Sequence, residues 1–263
     1  MKITHVITSP RAEGTPRLVL DWLNTDTGHT QDIIFLSQEN NELLADFKRR
    51  AHSITFLDPL PRGISKILPL INGIKNACKS IQPDLLICWN TGVSQWVHIG
   101  ARRAGIRRLL THAGNPPYGG VIKEYFFSHL TFWLGEMLGA KTIVPSDYLL
   151  GAFHSMGLLK KNHFRRVYNC VNVDKFIRPH DAIRGRDVIM VATLEVHKDH
   201  ATLLRAWKLI EDKMNPAKLL MVGKGAMEDE LKQMAQISVL RMLCSPVHVT
   251  MFRSYFGALP CSY

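Results

Sequence analysis

Acidic residues are scarce in this chain. Its 263 residues hold 22 aspartates and glutamates against 33 lysines and arginines, a formal net charge of +11. Such a surface attracts anions, whether nucleotide phosphates, nucleic acid or an acidic membrane face. Charge alone does not choose among them. The basic residues stand in short groups, Lys48-Arg49-Arg50, Arg102-Arg103, Arg107-Arg108, Lys160-Lys161 and Arg165-Arg166. The long basic tail or aromatic-interleaved stripe of a nucleic-acid binder is missing, so no nucleic-acid partner is expected. Cysteine is also sparse. Cys78, Cys88, Cys170, Cys244 and Cys261 are odd in number and contain no Cys-x-x-Cys pair, which excludes the usual zinc and redox spacings and suits reduced thiols in a cytosolic protein. Long apolar runs are lacking too. The start, Met1-Lys2-Ile3-Thr4-His5-Val6-Ile7-Thr8, is too polar for a signal peptide. The most apolar later stretch, Tyr125 to Ala140, is interrupted by His129 and Glu136 and falls short of the ~20 residues that span a bilayer. A soluble or peripherally attached cytoplasmic protein is expected.

What is present is a repeated alternation. Short runs rich in Ile, Val and Leu alternate with helical patterns, as in βαβ units of a parallel sheet, so the fold class is α/β. Strands read near residues 2–8, 31–36, 53–57, 84–89, 107–111, 141–145 and 165–169. Pro83-Asp84 breaks the chain before Leu85-Leu86-Ile87-Cys88-Trp89, and Ser146 is placed to cap a helix that follows Thr142-Ile143-Val144-Pro145. This Rossmann-like layout directs ligands to the carboxyl edge of the sheet. We read an N-terminal domain over 1–176 and a linker over 177–186, where Pro, Gly and charge replace periodicity. A second domain follows over 187–237, with strands 188–192 and 219–222 and helices 199–212 and 226–236. Two βα units are fewer than an open nucleotide-binding sheet normally has, so this half reads as truncated. The tail 238–263 has no Asp or Glu and holds two of the five cysteines. A reading-frame change or a genuine short apolar terminus would each produce it.

The chemistry-bearing residues lie at strand ends. Lys198, in Val191-Ala192-Thr193-Leu194-Glu195-Val196-His197-Lys198-Asp199, stands at a helix start, where the helix dipole favours negative charge. A cation there makes sense beside a bound anion or as a solvated surface lysine. Gly223 and Gly225 follow Leu219-Leu220-Met221-Val222, where bare backbone approaches a ligand or forms a tight turn. Gly14 and Arg17 stand in the first βα connection, again either a phosphate-facing loop or an ordinary turn. His112 ends the strand run Leu109-Leu110-Thr111-His112, and an imidazole at a carboxyl strand end suits orienting a hydroxyl. The histidines cluster in no metal-ligand spacing, so no metal is expected. No Gly-x-Gly-x-x-Gly follows the first strand, which argues against a nicotinamide-dependent oxidoreductase.

The order of these segments resembles the retaining glycosyltransferases of family 4, also called group 1, which have two Rossmann-like domains in the GT-B fold. The resemblance is carried by residues 188–231, a strand, loop, Lys198, a Leu- and Ala-rich helix and a strand ending Val222-Gly223-Lys224-Gly225. It is also carried by Val167-Tyr168-Asn169-Cys170-Val171-Asn172-Val173-Asp174-Lys175-Phe176, similar to the family's Asn-Gly-Val-Asp and Phe at the domain junction. The resemblance implies a sugar transfer from a nucleoside-diphosphate-sugar donor to an acceptor hydroxyl with retention, in bacterial polysaccharide or glycoconjugate synthesis. It implies no cofactor beyond that substrate, a catalytic role for His112 beside the donor sugar, and donor binding by Lys198, Gly14, Gly223 and Gly225. A glycan or lipid-linked acceptor follows, with peripheral contact at the inner face of the membrane. Two departures are plain. Thr193 stands where the family has a donor-binding arginine, and no two glutamates stand eight positions apart as the family's donor-binding pair does. They favour the alternative of a catalytically inactive nucleotide-binding or scaffolding fragment.

Overall fold

The computed structural model describes residues 1–25, 28–39, 41–57, 63–117, 122–155, 163–171, 173, 187–214 and 217–236. The chain divides into two compact units, residues 1–171 and 172–263. The linker read over 177–186 and the tail 238–263 lie outside the described residues.

In the first unit β1 (Lys2–Ile7), α1 (Gly14–Leu23), β2 (Thr30–Phe35), α2 (Leu44–Arg50) and β3 (Ser53–Phe56) are followed by α3 (Ile67–Ile81), β4 (Leu85–Cys88) and α4 (Ser94–Arg103). Then come β5 (Leu109–His112), α5 (Ile122–Met137), β6 (Lys141–Val144), α6 (Asp147–His154) and β7 (Phe164–Arg166). The seven strands form one parallel sheet in the order β3-β2-β1-β4-β5-β6-β7. Both faces are covered, and the central strand β4, Leu85-Leu86-Ile87-Cys88, is accordingly an uninterrupted apolar run. Val6, Ile34, Leu86 and Cys88 pack with Ile74 of α3 and Val97 of α4 on one face. Ile3, Ile7, Ile33, Phe35 and Ile87 pack with Val19 of α1 and Phe47 of α2 on the other. Phe35 and Phe47 are fully buried and meet edge to face with ring centroids 5.1 Å apart, each contributing about 1.5–3 kcal/mol through burial.

Two local devices fix the helices on that sheet. Ser146 caps α6 as its position in the sequence suggests, its hydroxyl accepting from the Leu149 N–H at 3.2 Å. Gly100 lets α4 lie against α3. A Cβ at that position would stand 2.6 Å from the Ile71 carbonyl oxygen and 2.9 Å from Ile74 Cβ. The strand order reverses between β1 and β4, so the carboxyl ends of those strands open a crevice there.

The second unit contains β8 (Val188–Val191), α7 (His200–Met214), β9 (Leu219–Val222) and α8 (Glu228–Gln236), with β8 and β9 parallel. Leu194, Leu204, Trp207, Leu219, Met221 and Leu231 form its core. Three acids, Glu228, Asp229 and Glu230, open α8, where the helix dipole favours negative charge. The elements lie close to those read from the sequence, with shifts at their ends. β5 runs 109–112 and not 107–111, β7 ends at Arg166, and α8 begins at Glu228 and not at 226.

Candidate functional site

The topology brings one set of side chains to the carboxyl edge of β1, β4 and β5. Parallel registry sets His5 beside Ile87 and Cys88 beside Thr111. Carried one residue further, it places Trp89 next to His112. Side chains alternate faces along a strand, so His5, Trp89 and His112 share the face that α1 covers. The contacts agree. The Trp89 and His112 rings lie 4.6 Å apart between centroids, Trp89 and His5 stack at 6.0 Å, and Trp22 of α1 meets both His5 and Trp89 edge on.

Hydrogen bonds orient this column and decide its protonation. Trp89 Nε1–H donates to His5 Nδ1 at 3.0 Å, and the other ring nitrogen, Nε2, donates to Gln31 Oε1 at 3.1 Å. An indole only donates, so His5 Nδ1 carries no proton and the ring is neutral. Burial is the main cause that lowers the His5 pKa to about 4, outweighing the Gln31 hydrogen bond and the attraction of Asp32. His112 is buried, and its Nε2–H donates to Asn169 Oδ1 at 3.1 Å. Burial, partly offset by that bond, lowers its pKa below the ordinary histidine value. In the neutral ring the remaining nitrogen, Nδ1, is an acceptor, and it faces Gly114, where a Cβ would come within 3.8 Å.

The crevice where the strand order reverses is bridged by a side-chain bond. Asn90, just past β4, donates from Nδ2 to Thr8 Oγ1, just past β1, at 2.9 Å, while its Oδ1 accepts from the Gly92 N–H at 3.0 Å. Gly14 is the first residue of α1 in the adjacent connection, and a Cβ there would meet nothing within 4 Å. The fold does not require glycine at that point. It leaves the start of α1 open to approach. Trp89, Asn90 and Thr8 were not among the residues singled out from the sequence. The available signal was the position of Trp89 and Asn90 directly after a buried strand.

In the second unit Lys198 is exposed and ends a 3-10 turn, Val196–Lys198. The helix after it starts at His200, not at 199, because Asp199 takes a left-handed conformation (φ 52°) that interrupts the turn, one that Asp tolerates better than most residues. Asp199 Oδ1 accepts from the Thr202 N–H at 3.4 Å. Gly223 and Gly225 have a purpose visible within the chain itself. A Cβ on Gly223 would lie 1.8 Å from the Ala192 carbonyl oxygen, and one on Gly225 would lie 2.4 Å from that of Leu194. The backbone bonds Leu194 N–H to Lys224 O (2.9 Å) and Met227 N–H to Leu194 O (2.9 Å) lock the two loops together. Thr193 lies within this locked pair.

No protein-family model matches the sequence, and no curated protein matches it. Solved structures match it in fold. HepE of Anabaena, solved in complex with UDP and glucose, is similar with a TM-score of 0.74 at 13% identity, over 97% of this chain and 72% of its own. A glycosyltransferase from Rickettsia africae is similar with a TM-score of 0.67 at 15% identity, over 97% and 70%. A UDP-GlcNAc 2-epimerase from Methanocaldococcus jannaschii is similar with a TM-score of 0.61 at 13% identity, over 96% and 75%. The chain has the α/β architecture of the GT-B fold, with Rossmann-like units.

Proposed function

We propose that this chain binds a nucleoside-diphosphate sugar and transfers the sugar, with retained configuration, to a hydroxyl of a glycan or lipid-linked acceptor in bacterial polysaccharide or glycoconjugate synthesis. The work takes place in the cytoplasm, at the inner face of the membrane. The observation that carries the reading is the setting of His112. Its ring is held neutral at the carboxyl edge of the sheet, with one nitrogen bonded to Asn169 and the other an acceptor. Such a group orients a sugar hydroxyl without bringing a charge. Support comes from the fold, since HepE has the same architecture and was solved with UDP and glucose.

In the reaction the bond between the anomeric carbon and the phosphate oxygen breaks, the acceptor oxygen takes its place, and the acceptor's proton leaves with the diphosphate. The developing charge on that diphosphate is the main term to stabilise. Lys198 is assigned to it. Gly223 and Gly225 keep the Lys198 loop in its place by allowing the close backbone approach to residues 192–194. A second reading, nucleotide-sugar binding without transfer, is favoured by Thr193, a neutral residue where a donor-binding arginine is expected from the resemblance.

Calorimetry with uridine and guanosine diphosphates tests both readings. A charge-assisted hydrogen bond contributes about 1.5–3 kcal/mol, so Lys198→Ala should weaken binding about ten-fold to a hundred-fold. His112→Ala should leave diphosphate binding nearly unchanged and abolish release of diphosphate from nucleotide sugars in the presence of acceptor. Binding with no turnover by the parent chain selects the second reading. No nucleotide binding at millimolar concentration removes both.

A further inference from the structure

The first unit carries an exposed apolar stripe that its own fold leaves uncovered. On α5 the side chains of Phe126, Phe127, Leu130, Trp133 and Met137 are exposed, from 47% for Trp133 to 68% for Phe126. At 100° per residue, Phe126, Leu130, Trp133 and Met137 fall within about 60° of one another, with Phe127 on the flank. The opposite side of the helix is buried through Thr131, Phe132 and Gly135, and Phe132 packs against Phe153 and Phe164. The helix is therefore fixed, and the stripe points outward by construction. From Tyr125 to Met137 its only formally charged side chain is Glu136.

The surroundings are basic. Arg102, in the last turn of α4, donates through its guanidinium to the Leu138 carbonyl just past the end of α5. Arg103 at the end of α4 and Arg107 and Arg108 in the segment leading into β5 are exposed, and Lys141 pairs in register with Leu110 of that strand. No aspartate or glutamate stands between Asp84 and Glu124.

We infer that α5 is an interfacial element that docks the chain on an anionic lipid surface, with the aromatic stripe in the headgroup and acyl boundary and the arginines against lipid phosphates. The helix is 16 residues long and no described helix is long and apolar enough to cross a membrane, so it lies in the interface and does not span. Trp, Phe and Leu with flanking Arg is the composition such a position favours. Charge argues for lipid over a second copy of this chain. In a two-fold contact the patch meets a copy of itself, which brings together two surfaces of the same positive sign, whereas an anionic bilayer is complementary to it. This inference rests on the reading above only for a membrane-borne acceptor.

The test is sedimentation of the full chain with large vesicles of phosphatidylcholine alone or with a third phosphatidylglycerol. Binding should require the anionic lipid. Leu130→Ser combined with Trp133→Ser should weaken it on the order of a hundred-fold. Arg103→Gln with Arg108→Gln should weaken it about five-fold per arginine. These positions are exposed, so unchanged circular dichroism and unchanged nucleotide binding are expected in both variants. Equal vesicle binding by parent and stripe variant, or no binding by the parent, overturns the inference. A stripe variant that turns a dimer into a monomer without affecting vesicle binding also overturns it. Nucleotide binding is read separately, so vesicle binding without nucleotide binding would sink the transferase reading and leave the docking surface standing.

Discussion

Replacing Trp89 with Phe isolates the bond that fixes the His5 tautomer. The phenyl ring still fills most of the space against Trp22 and His112, but the donor to His5 Nδ1 is gone. His5 is fully buried, so its lone pair has no water to turn to and is left unpaired at a cost of about 1–3 kcal/mol. The smaller ring adds roughly 1 kcal/mol of lost packing. A loss of about 2–4 kcal/mol from a unit of this size lowers its melting temperature by about 5–15 °C. His5→Phe should cost a comparable amount for the mirror reason, since it orphans the indole N–H. The double variant removes donor and acceptor together and should be less destabilised than the sum of the two by about 1–2 kcal/mol. Calorimetric unfolding of the four proteins, following the first unit's transition, measures that coupling. Strict additivity would refute the reasoning, because it would mean that the two side chains do not hold each other.

Three further outcomes follow from the same structure. Gly100→Ala should destabilise: helix propensity gains about 1 kcal/mol, but a Cβ 2.6 Å from the Ile71 carbonyl forces α3 and α4 apart at a cost of about 1–3 kcal/mol, and urea midpoints decide the sign. Gly223→Ala should expose the second unit to limited proteolysis while the first unit's transition stays in place, since its Cβ would stand 1.8 Å from the Ala192 oxygen. Stability should fall as pH drops from about 6.5 towards 4. Burial is the main cause holding both His5 and His98 at about 4 against an ordinary 6.5, so in that window the unfolded chain binds more protons than the folded one. Urea midpoints at pH 7 and pH 5 check this, and a flat profile would contradict it.

The central strand β4 was legible because a strand covered on both faces favours an uninterrupted apolar run, and Leu85-Leu86-Ile87-Cys88 is such a run. Ser146 was legible because capping is local, requiring one hydroxyl at the right offset. The site was legible only in part. His112 could be placed at a strand end, but its partner Asn169 stands 57 residues away, and no short-range pattern joins them. The pairing of Trp89 with His112 follows from sheet registry, which tertiary contacts decide. Gly223 and Gly225 were visible as glycines, but whether backbone or ligand fills the space beside them depends on the neighbouring loop. The stretch 125–140 read as apolar and too short to span. Which of its faces stays open depends on what α6 and β7 cover.

The described cysteines offer a spectroscopic consequence. Cys78 and Cys88 are buried, and burial pushes both thiols up to about 12, so alkylating reagents at neutral pH leave them untouched. Cys170 is exposed and directly follows Asn169, whose amide holds the His112 ring. In a Cys244→Ser, Cys261→Ser background a thiol-reactive fluorophore would therefore report from the edge of the proposed sugar site. Its emission on adding a nucleotide sugar would follow occupancy of that site in real time, without a radiolabel or a coupled enzyme.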